Sequence, residues 1–112
     1  MKISVDQTGK VTILRPQGAV RVGEGDVALR NVVKEQLDQG RKLIVLDMES
    51  VSFLDSAGLG ELVAALKRVR EAGGDLKIAH VSQRVSDALH VTQLTRVLDV
   101  YKDVTEAIAS FL

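Results

Sequence analysis

Residues 43–60 read Leu43-Ile44-Val45-Leu46-Asp47-Met48-Glu49-Ser50-Val51-Ser52-Phe53-Leu54-Asp55-Ser56-Ala57-Gly58-Leu59-Gly60. The opening Leu43–Leu46 run, between Lys42 and Asp47, is continuously apolar and short, as expected of a central or parallel strand covered on both faces. Val51 and Phe53 fall in what reads as a turn. Beyond it Leu59, Leu62, Val63, Leu66 and Val69 recur at the spacing of one helical face, and Gly73-Gly74 ends the pattern. A buried strand that feeds a helix is a building unit of α/β domains.

Working outward toward the N-terminus, Ile3 and Val5, then Val11, Ile13 and Leu14, form two strand-like segments separated by Thr8-Gly9-Lys10, the pattern of a hairpin. Pro16 cannot donate to a ladder, which predicts an edge or a bulge there. Gly18, Gly23 and Gly25 mark a loop, and from Val27 a helical face runs through Leu29, Val32, Val33 and Leu37 to a stop at Gly40. Toward the C-terminus, Leu76 to His80 reads as a strand, Ser82 caps a helix running to about Val91, and Val97 to Tyr101 reads as a last strand. Asp103 and Glu106 have the spacing of a capping box for a closing helix through Ala107, Ile108 and Phe111. The expected fold is a single α/β domain over residues 1–112, a mixed β-sheet covered by α-helices.

Composition narrows the function. Only 3% of residues are aromatic, too few to stack successive bases, and 15 basic residues balance 15 acidic ones, so no net charge steers the chain to nucleic acid or an anionic membrane. No apolar run approaches the roughly 20 residues of a spanning helix, and the opening Met-Lys-Ile-Ser-Val-Asp lacks the apolar core of a signal peptide. The absence of cysteine removes disulfides and thiolate metal sites and is compatible with a reducing cytosol. His80 and His90 have no companion ligand at metal spacing, so no metal or cofactor is expected.

Asp55 and Ser56 stand where the second helix begins, and either side chain can cap the unpaired N–H groups there. Gly58 and Gly60 lie in the first turn, where glycine costs about 1 kcal/mol against alanine. A bare backbone around the Ser56 hydroxyl, open to a partner or a kinase active site, would account for them.

Leu46-Asp47, Phe53 and Asp55-Ser56-Ala57-Gly58-Leu59-Gly60 resemble the signature of the STAS domain of anti-sigma factor antagonists, with Asp-Ser-x-Gly-Leu as its most specific part. The likeness runs over nearly the whole chain, from the opening hairpin through Gly18 to the final helix. It implies a cytoplasmic bacterial regulator phosphorylated at Ser56. In that family the unphosphorylated antagonist binds an anti-sigma factor that is also a serine kinase and so frees sigma factor; the kinase phosphorylates the antagonist, and a serine phosphatase reverses the step. The implied partner-binding residues are Asp55, Ser56, Ala57, Gly58, Leu59, Gly60 and Arg21, on a monomer or weak dimer. The family often places an acidic residue shortly after the glycine of the second strand, whereas here the order is Gly18-Ala19-Val20-Arg21. Arg21 is then either a solvated loop charge or a partner for phosphate on Ser56.

Three other readings compete. A receiver domain phosphorylated on Asp47 would need an acidic cluster after its first strand to hold magnesium, and this chain offers Asp6 alone before Gln7. Asp47 is instead expected to bond to loop backbone. An enzyme is not expected, because Ser56 has no evident base and Ser56-Ala57-Gly58-Leu59-Gly60 lacks the Gly-Lys-Ser/Thr ending of a phosphate-binding loop. Within the STAS family the alternative is a non-phosphorylated scaffold or small-ligand subunit of a stress complex or a lipid transporter.

Overall fold

The computed structural model describes all residues, 1–112. Strands β1 (Lys2–Thr8) and β2 (Val11–Val20) are followed by helix α1 (Gly25–Asp38), strands β3 (Leu43–Asp47) and β4 (Val51–Leu54) and helix α2 (Ser56–Glu71). Strand β5 (Asp75–Ala79), helix α3 (Gln83–Val91), a single 3-10 turn at Leu94–Arg96, strand β6 (Asp99–Tyr101) and helix α4 (Val104–Ala109) complete the chain. The sheet runs β1-β2-β3-β5-β6, with β4 paired to the far end of β2. Only the β1–β2 hairpin is antiparallel; the other pairings are parallel, so the sheet is mixed.

The parallel strands explain why residues 43–46 are apolar without interruption. Ile44 and Leu46, with Leu76 and Ile78 beside them, point to a core that α1, α2 and α3 close with Leu29, Val33, Leu62, Leu66, Val69, Val85 and Leu89. Val45 and Ala79 belong to a second, smaller core on the other face, closed by Ala107, Ile108 and Phe111 of the C-terminal segment. With both faces covered, alternation disappears from the strand sequence.

Several boundaries differ from the sequence expectations. Val51 and Phe53 lie in a strand, β4, not in a turn; four residues beside the end of β2 are too few for periodicity to separate from a loop. Pro16 is buried within β2, opposite Ile3, and its missing N–H falls just after the β3 ladder ends at Leu14 and before the β4 pairing begins at Gly18. The irregularity predicted at Pro16 occurs between Gly18 and Ala19. Gly18 is therefore part of a strand, where its φ of +104° suits glycine. Helix α1 opens at Gly25, two residues before Val27, so this glycine belongs to the helix and not to the loop; it packs so closely on β2 that a Cβ there would sit 2.7 Å from the Ala19 carbonyl oxygen. The last strand covers only Asp99–Tyr101, because the Val97 and Leu98 N–H groups bond back to the Leu94 carbonyl at 3.0 and 2.9 Å and close the 3-10 turn instead of joining the sheet.

Candidate functional site

The β4–α2 junction is built around Asp55. Its backbone is extended, and its Oδ1 accepts the Gly58 N–H at 2.8 Å, making it the N-cap of α2. Its Oδ2 accepts the Val22 N–H at 3.0 Å from the loop after β2, 33 residues away. One carboxylate thus ties the start of α2 to the segment that carries Arg21. The Gly58 and Val22 amides hold the Asp55 carboxyl below the usual carboxylate range, and the Arg21 charge adds to the effect.

Because Asp55 takes the capping role, Ser56 is free of it. Ser56 is the first residue of α2, exposed, and its hydroxyl makes no hydrogen bond within the chain. It stands at the N-terminus of a 16-residue helix, where the helix dipole favours an anion. Ala57 and Leu59 are half-buried.

The two glycines of the first turn serve different ends. Gly58 is buried, and a Cβ on it would collide with the Val20 carbonyl oxygen, so this glycine lets α2 close against β2. Gly60 is exposed with open space around its Cα, which fits the expectation of a bare surface beside Ser56.

Arg21 is exposed, with its guanidinium 5.5 Å from the centre of the Phe53 ring, and Arg84 of α3 stands 5.2 Å from the same ring. Neither arginine has a carboxylate within salt-bridge distance. Phe53 in this way gathers two unpaired cations at the strand that leads into Ser56. Arg21 was legible as a candidate; Arg84 was not, because no local pattern relates residue 84 to residue 53.

Asp47 accepts the Glu49 N–H at 3.1 Å, the bond to loop backbone expected of it. It is also 3.2 Å from Arg15 Nε, and Nη1 of the same guanidinium reaches Asp6 at 2.8 Å. His80, which has no companion ligand at metal spacing in the sequence, has its Nδ1 3.2 Å from Asp47 and 3.7 Å from Glu49. The three side chains share the end of two adjacent strands, β3 and β5, but the Arg15 guanidinium already supplies a cation to Asp47. The largest groove, about 460 Å³, is bordered by Val63, Leu66, Lys67, Arg70, Glu71 and Val97 along the C-terminal half of α2, apart from Ser56.

The STAS domain profile matches residues 2–107. The chain belongs to the STAS domain family. Among relatives of this STAS-domain protein, the anti-sigma-B factor antagonist of Bacillus subtilis strain 168 is 35% identical over 82 residues, covering 70% of this chain and 74% of the relative. That match places the chain with the anti-sigma factor antagonists. A crystal structure of an anti-sigma factor antagonist from Mycobacterium paratuberculosis superposes with a TM-score of 0.86 at 19% identity, covering 97% of this chain and 92% of that one. The anti-sigma factor antagonist SpoIIAA in its unphosphorylated form superposes with a TM-score of 0.73 at 15% identity, covering 97% and 96%. The phosphorylated form of the Bacillus cell fate determinant SpoIIAA gives 0.73 at 18%, covering 99% and 100%. At these identities the structures establish the shared fold. No helix of this chain is long and apolar enough to cross a membrane.

Proposed function

We propose that this STAS-domain protein is a phosphorylation-controlled antagonist of an anti-sigma factor. Unphosphorylated at Ser56, it binds an anti-sigma factor that is also a serine kinase and frees the sigma factor. The kinase then modifies Ser56, and a serine phosphatase restores the binding form. The chain works in the cytoplasm as a binding module, without catalysis, cofactor or nucleic-acid contact, as a monomer or weak dimer. The observation that carries the reading is the unbonded, exposed Ser56 hydroxyl beside an Asp55 that does the capping alone. The contact surface is Asp55, Ser56, Ala57, Leu59, Gly60 and Arg21, held in shape by Gly58 beneath.

The switch follows from electrostatics. Phosphate adds about −1.5 to −2 charge beside Asp55. The N-terminus of α2 offsets the repulsion by about 0.3–1 kcal/mol at an exposed site, so the fold persists. A partner packed on neutral Ser56 would instead have to bury a dianion, at a cost of several kcal/mol without a paired cation. Release of the partner, with the fold intact, is the consequence.

The test is calorimetric titration of the cognate anti-sigma factor kinase with the wild type, Ser56→Ala, Ser56→Asp and the phosphoprotein, with circular dichroism in parallel. Ser56→Ala should bind and resist phosphorylation. Ser56→Asp should fold but bind more weakly, by less than phosphate achieves, since aspartate carries one charge and lacks phosphate geometry. Equal affinity of phosphoprotein and wild type, or phosphate found elsewhere by mass spectrometry, would overturn the reading.

A further inference from the structure

We propose that the outer edge of β1 pairs with the same edge of a second copy of this chain, as an antiparallel two-fold dimer centred on Ser4. The inner edge of β1 is occupied by β2 along its whole length, from Lys2 opposite Gln17 to Thr8 opposite Val11, and its outer edge has no strand beside it. Such an edge offers unpaired N–H and C=O groups as a template for another strand. Proline, bulges and charged side chains are usual ways to blunt an edge; β1 has no proline or bulge, reading Lys2-Ile3-Ser4-Val5-Asp6-Gln7-Thr8 in unbroken register, and its two charges, Lys2 and Asp6, are of opposite sign.

The occupant is identified by charge. Antiparallel pairing centred on Ser4 places Lys2 of each copy opposite Asp6 of the other, Ile3 opposite Val5, and Ser4 opposite Ser4. Lys2, Ser4 and Asp6 share one face of the strand and Ile3 and Val5 the other, so two ion pairs line one side of the junction and two apolar pairs the other. Val5 is 43% exposed, which is apolar surface this pairing would cover. Arg15 holds Asp6 Oδ2 at 2.8 Å, steadying a carboxylate whose other oxygen remains available. Other registers lose the match: centring on Ile3 or Val5 sets Lys2 against Ser4 or Thr8, and in-register parallel pairing sets Lys2 against Lys2. A single strand edge falls short of the about 1,200–2,000 Å² of a stable interface, so the dimer exchanges rapidly and fills only at high concentration. The inference rests on β1 alone and stands apart from the switch at Ser56.

The chain has no cysteine, which permits a direct test by single cysteine substitutions in residues 1–112. Facing residues of an antiparallel pair have Cα atoms about 4.5–5.5 Å apart, within disulfide range. Ser4→Cys should therefore oxidise to a covalent dimer about tenfold faster than Thr8→Cys, which lies beyond the paired segment. By sedimentation equilibrium, Lys2→Glu and Asp6→Lys should each weaken self-association about tenfold, with circular dichroism showing both folded. Their equimolar mixture should associate more strongly than either alone, because opposite charges again face each other at both pairs. Equal oxidation rates of the two cysteine variants, or a mixture no stronger than its components, would overturn the proposal.

Discussion

Asp55, Gly58 and Gly60 lie within six residues of one another, and each answers to a different constraint. Asp55 spends one carboxylate oxygen on α2 and the other on the loop after β2. Its folded-state pKa lies below the unfolded value, so the folded chain binds fewer protons than the unfolded chain as the group titrates. The resulting stability is present above about pH 4 and is lost as pH falls through the lowered value. Asp55→Asn, which keeps an acceptor for the Gly58 N–H but no titrating charge, should show a shallower fall of Tm on acidification, read by thermal denaturation between neutral pH and pH 2. Gly58→Ala should destabilise by about 1–3 kcal/mol, since its methyl group meets Val20 backbone that cannot swing aside. Gly60→Ala meets nothing and should stabilise by about 0.8–1 kcal/mol through helix propensity. Urea denaturation of the pair distinguishes an internal glycine from a surface one. The Asp-Ser-x-Gly-Leu motif was legible in the sequence, but which glycine is internal was not, because that depends on Val20, 38 residues earlier.

Between elements, the contact that orients α2 against α1 is ionic as well as apolar. Glu61 of α2 is buried, with Arg30 of α1 at 3.3 Å on one carboxylate oxygen and Arg68 of α2 at 2.9 Å on the other. Removing the acid leaves two guanidinium groups without their acceptor, although both are about a third exposed and regain water. Glu61→Ala should cost about 1–3 kcal/mol, and Glu61→Gln less, by urea denaturation. The helical periodicity of residues 59–69 was plain from Leu59, Leu62, Val63, Leu66 and Val69. Glu61 escaped notice because a buried charge has no local signature, and its partner Arg30 lies 31 residues away. The strand β4 escaped for a related reason: four residues take their identity from β2 beside them.

Across the whole molecule, the sheet is closed unequally on its two faces. Three helices cover one face, while the other is held by the short α4 and the C-terminal residues, with Lys77 beneath the Tyr101 and Phe111 rings at 5.6 and 5.3 Å. Burial alone would push the Lys77 amine down, but the Asp99 and Asp75 carboxylates more than reverse this and hold it above its ordinary 10.5. A raised folded-state pKa contributes stability that is fully present below 10.5 and is lost as pH rises through the higher folded value. The wild type should therefore lose Tm above that pH more steeply than Lys77→Met, measured by calorimetry. The same variant should loosen the final helix first, visible as faster amide exchange in residues 104–109.

The sequence by itself determined the mixed α/β architecture, the order of its major elements, the caps at Ser82 and Asp103, and the Asp-Ser-x-Gly-Leu motif at the start of α2, where it left the cap open between Asp55 and Ser56. These are local properties, carried by apolar periodicity and by side chains that bond to backbone three residues away. Only the tertiary structure decided that β4 is a strand and that Gly58 faces inward. It also decided that Asp55 reaches Val22, that Glu61 joins α1 to α2, and that Arg84 meets Arg21 over Phe53. Each of these joins residues about 30 or more positions apart. Such a contact arises from the crossing of elements around a shared core, and no period or spacing within either segment encodes it.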